Sequence, residues 1–166
     1  RFAYCLGSLG ELERAEKILE AVIDHSLRTE LGGIHKEALL VKARFLIIKD
    51  KSDQAYELLE TLIKDSLAVG LINIATSARQ ILLLIAGKRK DDKAITRISD
   101  ELINETYQTH NIWGQLMALR LTAQFADPNS QSARQKSLAA QALMDQIAPQ
   151  ALSSEIAESF LRARTN

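Results

Sequence analysis

Apolar side chains return every three or four residues along most of this chain, which is the period of one face of an α-helix. Ile34, Ala38, Val41, Phe45 and Ile48 follow that spacing. No stretch alternates apolar and polar residues over more than a few positions, as a half-buried strand would. The pattern therefore predicts an all-α protein.

Turn-forming residues divide the predicted helices into hairpins, each made of an A helix followed by a B helix. One class of turn lies at Gly10, Asp50 and Lys90, each followed by acidic residues that suit a helix N-terminus. The other class lies at Gly32-Gly33, Gly70 and His110-Asn111, where a helix ends on a residue that tolerates the left-handed conformation. Pro128 and Pro149 predict two further breaks.

These signals place each predicted helix. The A helices are predicted at residues 1–8, 33–49, 71–88 and 112–126. The B helices are predicted at residues 11–29, 52–69, 92–109 and 130–147, and a last helix at 151–164. The helix at 71–88 is apolar almost all the way round, so we expect it to be buried on every side.

A shift of 40 residues brings similar side chains into register. In the B helices it aligns Ile18 with Leu58 and Ile98, Val22 with Leu62 and Leu102, Ile23 with Ile63 and Ile103, and Leu27 with Leu67 and Tyr107. In the A helices it aligns Ala38 with Ala78 and Ala118, and Phe45 with Ile85 and Phe125. A period of this size is typical of a solenoid, although a helical bundle with equal helix lengths stays open as the alternative.

Four repeats follow from this period. They cover residues 1–31, 32–70, 71–110 and 111–148, with a capping helix at 150–164, in one domain over residues 1–166. The chain starts inside a helical pattern with no signal peptide. We therefore expect it to be part of a longer polypeptide, the alternative being a processed natural N-terminus. We also expect self-association or fraying of the uncapped first hairpin.

The repeat resembles the tetratricopeptide repeat family, in its long-helix variety found in signalling ATPases and bacterial regulators. Leu6, Gly10 and Ala15 match the spacing of the motif of that family, and the second copy has Leu46, Asp50 and Ala55 at the same spacing. Ile95 and Gln135 depart from its small-residue position, and the period exceeds the usual ~34 residues. The resemblance implies a right-handed α-α superhelix of about four hairpins plus a C-terminal capping helix.

The resemblance also implies a binding groove lined by A-helix residues one position off the core face. Carried over by spacing, the groove residues are Tyr4, Glu37, Leu40, Arg44, Ser77, Gln80, Leu84, Met117, Arg120 and Gln124. Of these, Arg44 and Arg120 are suited to pairing with carboxylates of a partner. An ordinary exposed polar residue is the alternative interpretation of each position.

Composition excludes several classes of protein. The 166 residues are 46% hydrophobic, which does not fit a disordered segment. The 21 basic and 21 acidic residues cancel, so we expect no nucleic-acid partner. No apolar run approaches the ~18 residues of a membrane span, so we expect no membrane partner. The single cysteine, Cys5, excludes an internal disulfide, and the chain is expected to be cytoplasmic.

The sequence offers few groups for catalysis. His25, His35 and His110 lack the paired spacing of metal ligands, and no glycine-rich phosphate loop occurs. We expect no metal, no cofactor and no enzymatic activity. The basic cluster Lys88, Arg89, Lys90 and Lys93 suits a helix C-terminus or, alternatively, phosphate binding.

Trp113 has two interpretations, packing between adjacent repeats or an exposed anchor for a partner. Taken together, these observations predict a non-catalytic protein–protein interaction scaffold that binds a peptide or a partner helix in the concave groove. The alternative is a regulatory or ligand-sensing repeat domain of a larger signalling ATPase, kinase, cyclase or transcriptional regulator.

Overall fold

A computed structural model describes residues 11–125 and 131–151, with side chains as far as Gln146. Seven α-helices and no strand are found in these residues, which confirms the predicted all-α class. In chain order they are α1 (Leu12–Arg28), α2 (Gly32–Ile48), α3 (Ser52–Ala68), α4 (Ile72–Arg89), α5 (Asp92–Gln108), α6 (Ile112–Phe125) and α7 (Gln131–Ala151). The A helices are α2, α4 and α6, and the B helices are α1, α3, α5 and α7.

The first six helices begin and end within one residue of their predicted bounds. The prediction for α7 is wrong at its end, because the helix continues past Pro149 to Ala151. A proline removes one backbone hydrogen bond and kinks a helix, but it does not always end it. The predicted helix 1–8, most of the capping helix and the turns at Gly10 and Pro128 lie outside the described residues.

Successive helices are joined by one recurring turn. Helices α1 to α6 begin at residues 12, 32, 52, 72, 92 and 112. A residue with positive φ follows each of the first five, and these residues are Glu30, Asp50, Gly70, Lys90 and His110. In the first turn, the N–H of Leu31 donates to the carbonyl of Ser26 and the N–H of Glu30 to that of Leu27. The other four turns repeat both hydrogen bonds, which together form the Schellman motif.

The predicted helix end at Gly32-Gly33 is wrong. Both glycines lie in the first turn of α2, and the left-handed residue is Glu30, with φ of 53°. This conformation costs a non-glycine residue about 1–2 kcal/mol. Here the two hydrogen bonds of the turn satisfy carbonyl groups at the end of α1, and they set the position of the turn without a glycine.

The chain divides into two compact units, residues 1–91 and residues 92–166. In the first unit, α2 packs against α1, α3 and α4, and α3 also packs against α4. In the second unit, α6 packs against both α5 and α7.

Small residues on the A helices lie at the centre of each unit. Ala38, Ala78 and Ala118, aligned by the shift of 40 residues, are all buried. Helix α4 is buried over most of its circumference but not on every side, so the prediction of complete burial is wrong. Part of the helix reaches the surface, because polar residues such as Asn73 and Gln80 interrupt its apolar pattern.

One set of residues that the shift of 40 aligns is exposed, although the sequence pattern predicts that it is buried. Leu27, Leu67 and Tyr107 align as apolar residues, yet all three are exposed. The buried side chains in the last turns of these B helices are small and polar, and they lie one position earlier: Ser26, Ser66 and Thr106. The smaller side chains suit the close approach of the next helix, while the larger apolar neighbours point to solvent.

Candidate functional site

Ile72 and Arg89 at the two ends of α4 are exposed. Between them, the accessible side chains of the helix form one stripe. Its members follow each other at steps of three or four residues, and they are Asn73, Ser77, Gln80, Leu84 and Lys88. Ser77 and Gln80 are half-buried, and Leu84 is 40% exposed. Three predicted groove residues therefore lie on the part of α4 that a partner can reach.

The predicted groove residues of α2 form a matching stripe. Glu37 and Arg44 are exposed and Leu40 is half-buried, again at steps of three and four residues. Because α2 packs directly against α4, the structure brings six predicted site residues onto two neighbouring helices of the first unit. We call this set of accessible residues on α2 and α4 (Glu37, Leu40, Arg44, Ser77, Gln80 and Leu84) the A-helix face.

The remaining groove residues lie in the second unit or outside the described residues. Met117, Arg120 and Gln124 are exposed along α6. Trp113 precedes them on the same stripe and is 55% exposed, so it does not pack in the core; its role as an anchor for a partner stays a prediction. Tyr4 lies outside the described residues.

The A-helix face combines apolar and charged side chains. Leu40 and Leu84 provide apolar contact, and Glu37 and Arg44 provide one charge of each sign. Among the residues that the structure describes, no group of three or more His, Cys, Asp or Glu side chains is arranged to hold a metal ion. Such a surface is suited to contact with another chain.

The basic cluster has a structural role in part. The Arg89 guanidinium donates to the Asp53 carboxylate at 2.6 Å, and it lies 5.4 Å from the centre of the Tyr56 ring. Arg89 therefore connects the end of α4 to the start of α3. Lys88 and Lys90 are exposed beside it, while Lys93 belongs to the second unit.

Sequence reasoning missed a polar network in the second unit. The Asn111 side-chain oxygen accepts a hydrogen bond from the N–H of Gly114 at 2.9 Å, which caps α6. The Gln115 side chain donates to the carbonyl of Thr106 at 3.0 Å. The signal for this network was Asn111, which lies three residues before Gly114 at the start of α6. In the sequence, His110-Asn111 predicted only the end of the preceding helix.

A second missed feature is the contact between Ser26 and His35. The Ser26 hydroxyl donates to the carbonyl of Ile23 at 2.8 Å and lies 3.3 Å from the Nδ1 atom of His35. This histidine is half-buried between α1 and α2. It contributes to packing in the first unit.

None of the described helices has the combination of length and apolarity needed to cross a membrane. Comparison of the chain with protein-family models, with curated proteins and with solved structures gave no match.

Proposed function

We propose that this chain is a tetratricopeptide-like array of helical hairpins, arranged as a right-handed superhelix, that acts as a non-catalytic protein–protein interaction scaffold in the cytoplasm. Its binding surface in the first unit is the A-helix face, and its ligand is a peptide or a helix of a partner protein. The stripe of Met117, Arg120 and Gln124 on α6 stays a prediction for the second unit.

The observation that carries this proposal is the surface of α4. Ala75, Ala78, Leu82 and Leu83 of α4 are buried. Between Asn73 and Lys88 the accessible side chains of the helix form one stripe, and polar Ser77 and Gln80 occupy its middle. Amide and hydroxyl groups on a half-buried surface are well placed to hydrogen-bond an extended backbone.

Apolar side chains on the same surface support a short peptide as ligand. Leu84 on α4 is 40% exposed, and Leu40 on α2 is half-buried. A partner side chain inserted beside them would remove apolar surface from water at about 25 cal/mol per Å². Charged Glu37 and Arg44 at the margin would then fix the register of the peptide.

A peptide library displayed on phage and panned against the chain tests this proposal. Peptides that survive panning are synthesised with a fluorophore, and their affinities are measured by fluorescence anisotropy. Leu84→Glu should weaken binding by about 100-fold, because it places a charge in the apolar contact. Arg44→Glu should weaken binding of any peptide that carries a carboxylate opposite it by about tenfold.

Lys64→Glu is the matched control, because Lys64 is an exposed cation on the B helix α3 of the same unit. This variant should leave the affinity unchanged. If the selected peptides bind Leu84→Glu as well as they bind the parent, the A-helix face is not the binding surface. Circular dichroism of each variant checks that the fold is retained.

A further inference from the structure

Exposed large apolar side chains collect at two turns of the first unit. The α1–α2 turn carries Leu27, Leu31 and Ile34, and the α3–α4 turn carries Leu67, Val69 and Ile72. Each of these side chains is between 37% and 63% exposed. An exposed apolar group of this size usually marks an interaction surface.

Both turns lie at the same end of the first unit. Helices α2 and α4 pack against each other and both begin at these turns, because α3 returns the chain between them. We call this end, formed by residues 27–34 and 67–72, the apolar end. The opposite end of the unit is highly charged, since its turns carry Lys49, Asp50 and Lys51 in one and residues 88–91 in the other.

The apolar end has only two charged residues, Arg28 and Glu30, and they have opposite signs. Both side chains are exposed, and neither forms an ion pair within the part of the chain that the structure describes. They flank Thr29, and Leu27 and Leu31 flank them in turn. The segment therefore reads leucine, cation, threonine, anion, leucine.

We propose that the apolar end binds a second copy of this chain through a two-fold axis that passes near Thr29. A two-fold axis there places Arg28 of one copy against Glu30 of the other, and Leu27 against Leu31. In such an isologous contact each ion pair forms twice. The order of charges in the segment complements its own two-fold image, which favours a second copy over a partner of uniform charge.

The size of the apolar end sets the expected strength of the contact. Six side chains, each about half exposed, would bury less accessible surface than the ~1,200 Å² at which stable protein–protein interfaces begin. The association is therefore weak, with a dissociation constant in the micromolar range. The chain should be a monomer when dilute and a dimer when concentrated.

Sedimentation velocity of the 166-residue chain, from about 5 to about 500 µM, measures this equilibrium. Arg28→Glu alone and Glu30→Lys alone should each raise the dissociation constant by about tenfold, because each places like charges together. The double variant Arg28→Glu/Glu30→Lys restores opposite charges, and its dissociation constant should return to within about threefold of the parent value. A change in folding alone would not produce this recovery.

The apolar part of the contact has a matched pair of variants. Leu27 and Ile48 are 59% and 62% exposed, and they lie at opposite ends of the first unit. Leu27→Ser should weaken the dimer by about tenfold, while Ile48→Ser should not change it. Thermal melting of each variant at low concentration confirms that the monomer is folded.

Three results would overturn the proposal. The first is a chain that stays monomeric at the highest concentration, since the apolar end would then serve a different partner. The second is a double charge variant that associates no better than the single variants. The third is association that survives Leu27→Ser but is lost on Trp113→Ser, which would place the contact in the second unit.

Discussion

A Cβ atom added to Gly114 would lie 2.7 Å from the Cγ2 atom of Thr106 and within 3 Å of the Asn111 side chain. No real Cβ atom approaches a carbon atom this closely, so α5 and α6 meet at this point only because residue 114 has no side chain. Thr106 is fully buried and branched at Cβ, so it has little freedom to move away. The contact fixes the geometry of the α5–α6 turn.

Gly114→Ala should therefore destabilise the second unit by about 1–3 kcal/mol, because the added methyl group overpacks this contact. The control is Gly33→Ala, since Gly33 lies in the first turn of α2 and a Cβ atom added there would have nothing within 4 Å. That variant should be neutral or more stable by up to about 1 kcal/mol, because alanine favours helix. Urea unfolding monitored by circular dichroism measures both. Equal effects of the two substitutions would contradict the close contact.

Ala78→Glu tests the core of the first unit. Ala78 has no exposed surface in the middle of α4, so the substitution buries a carboxylate without a partner. The expected cost is about 3 kcal/mol or more. Ser77→Glu places the same charge one residue earlier, on the accessible stripe, and it should cost less than about 1 kcal/mol. Nearly equal melting temperatures of the two variants would show that the assigned faces of α4 are wrong.

Ser26 and Ser66 occupy equivalent positions but differ in hydrogen bonding. Among the described residues, the Ser66 hydroxyl has no hydrogen-bond partner, although it is fully buried. The Ser26 hydroxyl bonds to the carbonyl of Ile23. Alanine gives the same gain in helix propensity at both sites, so the difference between the variants isolates the hydroxyl. In urea unfolding, the Ser66→Ala variant should be about 1–2 kcal/mol more stable than the Ser26→Ala variant. The reverse order would show that the Ser66 hydroxyl has a hydrogen-bond partner.

The contact of Arg89 with Tyr56 should stabilise the α3–α4 pair more than the ion pair with Asp53. The Asp53 side chain is 94% exposed, so water and salt screen that ion pair and its coupling should be below ~0.5 kcal/mol. The ring contact is expected to give about 0.5–1 kcal/mol. A double-mutant cycle of Arg89→Ala with Tyr56→Leu, and another with Asp53→Asn, separates the two. Added salt should reduce only the coupling energy between Arg89 and Asp53. A coupling energy to Asp53 larger than that to Tyr56 would contradict the expected order.

Much of the backbone could be predicted from the sequence because turns carry strong local signals. Asp50, Gly70 and Lys90 lie where the structure has its left-handed residues. The first turns of α1, α3 and α5 contain acidic side chains that favour a helix N-terminus, as expected. Burial of Ala38, Ala78 and Ala118 could also be predicted, because the shift of 40 residues brings a small side chain to the same position in each A helix.

Side-chain exposure near the helix ends could not be predicted in the same way. Apolar periodicity marks Leu27 and Leu67 as core positions, but the structure exposes them and buries Ser26 and Ser66 instead. Hydrophobicity scales favour the larger side chain, while the space left between closely packed helices admits the smaller one. The two interpretations of Trp113 both stayed open for a related reason, because exposed and buried positions of α6 are adjacent along the chain.

The constant step of twenty residues between the starts of α1 to α6 limits how the length of this part of the chain can change. One residue inserted within α2 or α3 would rotate everything after it by about 100° about the helix axis. Side chains that now face a neighbouring helix would then face elsewhere. Addition or removal of forty residues, the length of one hairpin with its two turns, keeps the spacing of the turns unchanged. We therefore expect length variants to fold when they differ by a whole hairpin, and single insertions inside these helices to be tolerated poorly.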